Sequence, residues 1–279
     1  MTSKASASEH EFSEAEGAGG DRLFVAALER GLRVLECFGA DGGAWNALGI
    51  REIASRTGLS VPAVQRATHT LVRLGYLSKD PATGRVRLTP RVLGPAYAYL
   101  QASPLYEVAL PVVIDMRDEI GETVNLSVLD GFHAVILLRM PSRRRINPTS
   151  TIGRRMPAFC TATGRSILAF ASPAEQDVAL DAAHIQALTP RTVTSRSDLL
   201  RCLEAVRADG YALVEQEASP AELAIAAPIL DRQNLPLAAL GISVSAADWT
   251  ATQMRKRLAP AVVRAAAAIS QAVKGWNSG

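Results

Sequence analysis

Residues 50–74 read IREIASRTGLSVPAVQRATHTLVRL, and this stretch decides the fold of the N-terminal third. It divides at Thr57-Gly58-Leu59 into two helical phrases. In the first, Ile50 to Arg56, Ile53 and Ala54 face inward. Gly58 suits the left-handed backbone that closes a helix, where a side chain would be strained. In the second, Ser60 is a residue type that caps a helix N-terminus, and Pro62 sits in the first turn, where a missing N–H costs nothing. Val64, Ala67, Leu71 and Leu74 recur at helical spacing and predict the buried face. Gly75 stops the helix.

Working outward, the flanks complete a small domain. On the N-terminal side, Val25, Leu28, Leu32, Leu35 and Phe38 predict an amphipathic first helix, ended by the glycine cluster at Gly39 to Gly43. On the C-terminal side, Tyr76 to Lys79 and Arg85 to Leu88 are strand-like runs around a turn at Asp80 to Gly84, a hairpin pattern. Thr89-Pro90 opens a further helix to about Gln101, and Pro95 inside it is a point for a kink. Residues 1–20 hold Glu9, Glu11, Glu14 and Glu16 against Lys4. So polar a stretch cannot offset the entropy of ordering, and a disordered acidic tail is expected.

Charge points to a partner. The 279 residues carry 30 Lys and Arg against 27 Asp and Glu, close to neutral. Residues 50–91 are different: Arg51, Arg56, Arg66, Arg73, Lys79, Arg85, Arg87 and Arg91 face only Glu52 and Asp80. A local basic surface next to a helix-turn-helix pattern favours nucleic acid. DNA's major groove admits one α-helix, whose first turns reach base edges. The exposed face of the second helix is expected to carry Ser60, Val61, Ala63, Gln65, Arg66, His69, Thr70 and Arg73. Gln65 and Arg66 are able to contact bases in bidentate fashion, while Ser60 and Thr70 suit phosphates. The hairpin would act as a wing, bringing Lys79, Arg85 and Arg87 to the DNA backbone or minor groove. The competing reading is an ordinary solvated helix face on a small helical subdomain.

After Ser103 the pattern is mixed. A helix from Pro104 to about Ile120 is followed by strands Val124 to Leu129 and His133 to Arg139 around an Asp130-Gly131 turn. Arg143 to Arg155 reads as a basic loop with an edge strand. Helices follow at Thr161 to Phe170, after a capping box at Ser172 to Glu175, and at Asp198 to Ala208. Strands follow at Ala212 to Gln216, Leu223 to Leu230 and Leu237 to Ser245, and a long Ala-rich helix at Thr250 to Gly275. The segment Phe159-Cys160-Thr161-Ala162-Thr163-Gly164-Arg165 offers hydroxyls, backbone N–H groups and a helix start, which suit a small carboxylate.

Several stretches resemble the IclR-type transcriptional regulators: Phe24 to Leu32, Arg51 to Ser60, Leu74 to Leu77, Gly121 to Leu126, Leu188 to Thr194 and Ala226 to Ile229. Their order and spacing span about Leu23 to Ser270. The resemblance implies a mixed α/β (α+β) protein with an N-terminal winged helix-turn-helix and a C-terminal GAF-like effector domain built on a curved antiparallel sheet. It implies binding to double-stranded operator DNA as homodimers that often pair into tetramers, and no enzymatic activity. The expected division is a tail at 1–20, the DNA-binding domain at 21–89, a linker helix at 90–102 and the effector domain at 103–276. In such regulators the segment Phe159, Cys160, Thr161, Ala162, Thr163 and Gly164 lines the effector pocket. Facing strands would add Glu215, Ala224, Gly241 and Ser243. Ala224 and Gly241 stand where relatives carry larger polar residues, which leaves room for a bulkier ligand. Met156 to Phe159 and Phe24 to Leu28 look most like the branch that senses aromatic acids such as protocatechuate or hydroxybenzoate.

Other chemistry is weaker. Arg139, Arg143, Arg144, Arg145, Arg154 and Arg155 invite a carboxylate clamp, but a solvated loop explains most of them. Cys160 has no base fixed beside it by spacing, so a pocket wall suits it better than a nucleophile. Cys37, Cys160 and Cys202 form no disulfide framework or zinc spacing, and His10, His69, His133 and His184 make no ligand pair. No metal and no cofactor are expected. No apolar run approaches the ~20 residues of a membrane helix, and the expected setting is the cytoplasm. The alternatives are a small-molecule enzyme with a helical N-terminal domain and an interaction protein using its last helix. No acid/base pair supports the first.

Overall fold

The computed structural model of the chain describes residues 23–39, 47–143 and 151–276. The expected acidic tail, most of the glycine cluster after the first helix, and Arg144 and Arg145 lie outside the described residues. The chain divides into two compact units between Tyr99 and Leu100.

The N-terminal unit packs α1 (Ala26–Glu36), α2 (Ile50–Thr57) and α3 (Val61–Arg73) with the hairpin β1 (Leu77–Lys79) and β2 (Val86–Leu88). Its core is Val34, Cys37, Leu48, Ile53, Val64, Leu71, Leu77 and Val86. Gly58 closes α2 with φ +66°, as its position in the turn requires. Ser60 precedes α3, and its carbonyl accepts the Val64 N–H, but its hydroxyl makes no capping bond. The start of α2 is held by Glu52, whose carboxylate accepts the Gly49 N–H at 2.6 Å. Two arginines tie the helices: Arg33 donates to the Thr57 carbonyl, and Arg56 to the Cys37 carbonyl at 3.2 Å.

Three sequence expectations fail here for packing reasons. Ala63 is 8 % exposed and belongs to the inner face of α3, while Leu74, expected inside, is 54 % exposed. Leu74 lies past the last turn of α3, where the chain has already bent toward the hairpin. Around α1 the buried residues are Val34 and, just past its end, Cys37, with Leu35 and Phe38 packed against the same core; Phe24, Val25, Leu28 and Leu32 are exposed. The apolar stripe that the periodicity identifies is real, but much of it is left uncovered by this unit.

In sequence, a 3-10 turn (Pro90–Val92) leads into α4 (Leu93–Gln101), where Pro95 falls in the first turn and breaks nothing. The C-terminal unit then runs α5 (Pro104–Ile120), β3 (Thr123–Asp130), β4 (His133–Met140), β5 (Arg155–Pro157), α6 (Ala162–Leu168), α7 (Pro173–Ala179), α8 (Arg196–Asp209), β6 (Ala212–Glu215), β7 (Glu222–Leu230), β8 (Pro236–Ser245), α9 (Ala251–Arg257) and α10 (Ala259–Trp276). The expected long C-terminal helix is two helices, broken at Leu258 just before Pro260. Pro111 lies inside α5 without ending it. Ser172 and Glu175 form the expected capping box.

The strands form one antiparallel sheet in the order β5-β4-β3-β8-β7-β6. Side chains alternate between its faces. Val124 and Leu126, Leu240, Ile242 and Val244, and Leu223, Ile225, Ala227 and Ile229 form one core with α5, α9 and α10. The intervening positions Asn125, Ser127, Gly241, Ser243, Ala224 and Ala226 are small or polar and face the other way. The helix α6 lies on that side, and Ser166 donates to the Ala226 carbonyl at 2.9 Å. Gly164 lets α6 pack on the turn that leads into it: a Cβ there would stand 2.2 Å from the Ala158 carbonyl oxygen. Among the described residues, no helix is long and apolar enough to cross a membrane.

Gly164→Ala should cost about 3 kcal/mol or more, because a methyl group cannot enter without moving backbone. Urea unfolding followed by circular dichroism reads this as a lower midpoint with an unchanged slope.

Candidate functional site

Two sets of residues stand out, one in each unit. In the N-terminal unit, Val61, Gln65, Arg66, His69, Thr70 and Arg73 are exposed along one side of α3, at the spacing of a single helical face. Ala63 is not among them, because its methyl group fills the core side. The Thr70 hydroxyl donates to the Arg66 carbonyl at 3.0 Å. Lys79 and Arg87 are exposed on the hairpin. Arg85 is used differently. Its Nε donates to the Ala47 carbonyl at 2.8 Å and its Nη2 meets Glu52 at 2.7 Å. That cation clamps the hairpin to the start of α2, and the Glu52 carboxyl is held below its ordinary range by the Gly49 N–H first and by Arg85 second. Arg91 stacks over Tyr76, with its guanidinium carbon 5.5 Å from the ring centre.

In the C-terminal unit, a cavity of about 330 Å³ separates the small and polar sheet face from α6 and the loop between β6 and β7. Cys160, Thr161, Ala162 and Thr163 line it from the α6 side. Asn125, Ser127, Arg139, Gly241 and Ser243 line it from the strands, and Ala224 and Glu222 from β7. Ala134, Ile136 and Met156 supply an apolar wall. Thr161 caps α6, its hydroxyl accepting the Gly164 N–H at 3.1 Å.

Several expected residues are placed elsewhere. Phe159 is fully buried in the core beneath α6, and Gly164 packs on Ala158; neither lines the cavity. Glu215 is also absent from the lining. In β6, Val214 faces the cavity, so its neighbour Glu215 points to the opposite face. The chain then turns through Gln216 at φ +59°, and Glu217 faces inward instead. Gly241 does not widen the cavity as its size suggests. A Cβ there would stand 2.6 Å from the Thr163 methyl group, which occupies that space.

The acidic residue two positions beyond the expected one has a structural task. Arg165 and Glu217 form a buried bidentate pair at 2.7 and 2.6 Å. Arg165 also donates to the Phe159 carbonyl at 2.7 Å, and Glu217 accepts the Val193 N–H at 2.9 Å. The Thr189 and Thr192 hydroxyls donate to the Gln216 and Glu217 carbonyls, each at 2.7 Å. The β6–β7 loop is thus fastened to α6 and to residues 189–193. No local spacing signals this pair; its members are 52 residues apart.

Of the arginines considered for a clamp, Arg139 and Arg154 line the cavity. Arg143 pairs with Asp118 at 2.8 Å and Arg155 with Asp130 at 2.5 Å, both at the surface. Arg139 is held at 3.0 Å from Asn125 Oδ1, and burial lowers its pKa. Burial raises the Glu222 carboxyl, against the opposing pull of Arg139, Arg154 and Ser243. Burial pushes the Cys160 thiol up to about 12, so it is a wall and not a nucleophile. Among the described residues, no cluster of His, Cys, Asp or Glu is placed to hold a metal ion.

Family profiles match both units: the IclR helix-turn-helix domain over residues 27–81, and the bacterial transcriptional regulator IclR C-terminal domain over residues 97–271. The chain belongs to the IclR family of bacterial transcriptional regulators. It is a DNA-binding regulator and not an enzyme. The Pca regulon regulatory protein of Pseudomonas putida is 34% identical over 247 residues, covering 88% of this chain and 83% of that one. The p-hydroxybenzoate hydroxylase transcriptional activator of Acinetobacter baylyi is 34% identical over 222 residues, covering 78% and 80%. Among solved structures, a transcriptional regulator from Rhodococcus sp. RHA1 is 36% identical with a TM-score of 0.74, covering 91% of this chain and all (100%) of that one. An IclR homologue from Microbacterium hydrocarbonoxydans, complexed with 4-hydroxybenzoate, is 25% identical with a TM-score of 0.72, covering 89% and 99%.

Two outcomes test this geometry. Glu217→Gln should destabilise the protein by about 3–5 kcal/mol, since it leaves Arg165 charged and buried; chemical denaturation measures it. Cys160 should resist iodoacetamide at pH 8 in the native protein and react once urea unfolds it, as mass spectrometry of the labelled peptides would record.

Proposed function

We propose that this regulator acts in the cytoplasm on a catabolic operon, and that a small aromatic carboxylic acid in the C-terminal cavity controls its hold on operator DNA. The observation that carries the reading is the cavity itself. It has room for a single-ring acid, an apolar wall at Ala134, Ile136 and Met156, and a polar wall with two cations. Pockets of this kind bury a ring and fix one charged group. The relatives named for the Pca regulon and for p-hydroxybenzoate hydroxylase, and the homologue complexed with 4-hydroxybenzoate, support the aromatic class. Cys160, Thr161, Ala162, Thr163, Ala224, Gly241 and Ser243 are the residues retained in this site.

On the DNA side, Gln65 and Arg66 read base edges, with Ser60, Val61, His69, Thr70 and Arg73 around them. Lys79 and Arg87 position the wing on phosphates, and Arg85 serves the fold. The protein acts as a homodimer, and two dimers pair on DNA. The exposed Leu23, Phe24, Val25, Leu28 and Leu32 support self-association, since monomers rarely leave a contiguous apolar stripe uncovered. Effector binding shifts the population between two arrangements of the dimer, and operator half-sites tolerate only one of them.

Gel shifts on DNA upstream of its own operon test the output. Gln65→Ala or Arg66→Ala should cost roughly 1–3 kcal/mol and relax sequence preference, while Arg87→Ala should weaken all sequences alike and flatten the salt dependence. Calorimetry with protocatechuate and 4-hydroxybenzoate tests the input; no heat with either would sink the aromatic-acid reading.

A further inference from the structure

Gly241 leaves a gap in the floor of the cavity, and α6 fills it from above. The strand register sets Arg139, Asn125, Gly241 and Ala226 side by side across β4, β3, β8 and β7. Residues directly opposite in an antiparallel sheet share a face, so in this row only Gly241 brings no side chain. The Thr163 methyl group takes the space, 2.6 Å from where a Cβ on Gly241 would stand. The other atoms nearest that position are the Ala226 Cβ at 3.5 Å and the Ile225 carbonyl oxygen at 3.6 Å, which leave ordinary room. Gly241 has no positive φ either. One methyl group from α6, and neither the backbone nor the neighbouring strand, keeps position 241 bare.

Thr163 holds that place firmly. Its neighbour Gly164 packs on Ala158 with no clearance, and Ser166 donates to the Ala226 carbonyl at 2.9 Å. The helix is thus pinned to its entry turn on one side of Thr163 and to β7 on the other. A branched Cβ leaves few χ1 alternatives. A long flexible side chain could swing aside for a larger ligand; this one keeps its methyl group down. Thr163 and Gly241 both line the cavity, so the volume under the methyl group is continuous with the space a ligand would use.

We propose that Thr163 is the specificity-determining residue of the cavity: its methyl group sets how deep a ring can sink over Gly241, and it excludes aromatic acids that carry one further methyl there. This rests on the reading of the cavity as an aromatic-acid site. The glycine on the sheet does not set the limit; the helix residue above it does. The same limit should return with the methyl group moved to the other wall, as serine at 163 over alanine at 241. One methylene in an apolar pocket is worth roughly 10- to 200-fold in selection.

Calorimetry of the full-length protein with 4-hydroxybenzoate and its 2-methyl and 3-methyl derivatives tests the limit. The wild type should prefer the parent acid, and in Thr163→Ser at least one derivative should gain roughly tenfold or more relative to the parent. Gly241→Ala should lower the melting temperature. Adding Thr163→Ser to it should recover most of that loss and restore the wild-type preference among the three acids. An unchanged preference in Thr163→Ser, or a double variant no more stable than Gly241→Ala, overturns the proposal. If 4-hydroxybenzoate does not bind the wild type, the aromatic-acid reading fails on its own. A methyl derivative that then binds Thr163→Ser and not the wild type still upholds the size limit, and binding to neither overturns it.

Discussion

The C-terminal unit depends on one close approach, that of α6 to the backbone beneath it. Gly164 stands where any side chain would collide with the Ala158 carbonyl, and Gly241 stands where one would collide with Thr163. With both positions bare, α6 packs on its entry turn through Gly164 and on the sheet over Gly241, and the Ser166 hydroxyl reaches the Ala226 carbonyl. The same contact defines the cavity, because its edge is the turn that enters α6. Packing that closes one part of this face therefore leaves the space beside it open.

The second constraint is the assignment of charges. Arg165 and Glu217 are buried together with geometry that satisfies both ends, so their mutual attraction offsets desolvation. Their task is to fasten the loop that covers the cavity. Arg139, Arg154 and Glu222 instead line the cavity, where burial works against the charge of Arg139 and of Glu222. The N-terminal unit makes a similar division. Arg85 is committed to Glu52 and Ala47, while Gln65, Arg66 and Arg87 stay exposed.

The local elements follow from short stretches of the chain. Gly58 at the turn, Pro62 in a first turn, Ser172 with Glu175, and the Asp130-Gly131 hairpin are signals carried by a few adjacent residues, and helix or strand follows from them directly. The exposed side of α3 was legible for the same reason, save for Ala63, whose small side chain gives periodicity little to work with. Polar Asn125 and Ser127 in an apolar strand also mark a face that is not core. The rest depends on how distant elements pack. Glu217 replaces Glu215 because Gln216 adopts a left-handed turn that reverses the alternation. Arg139 and Arg154 differ from their neighbours Arg143 and Arg155 only in where the sheet delivers them. The exposed stripe on α1 and the contacts of Glu222 depend on what other elements cover or face. Such relations arise between residues far apart in the chain, and no local spacing encodes them.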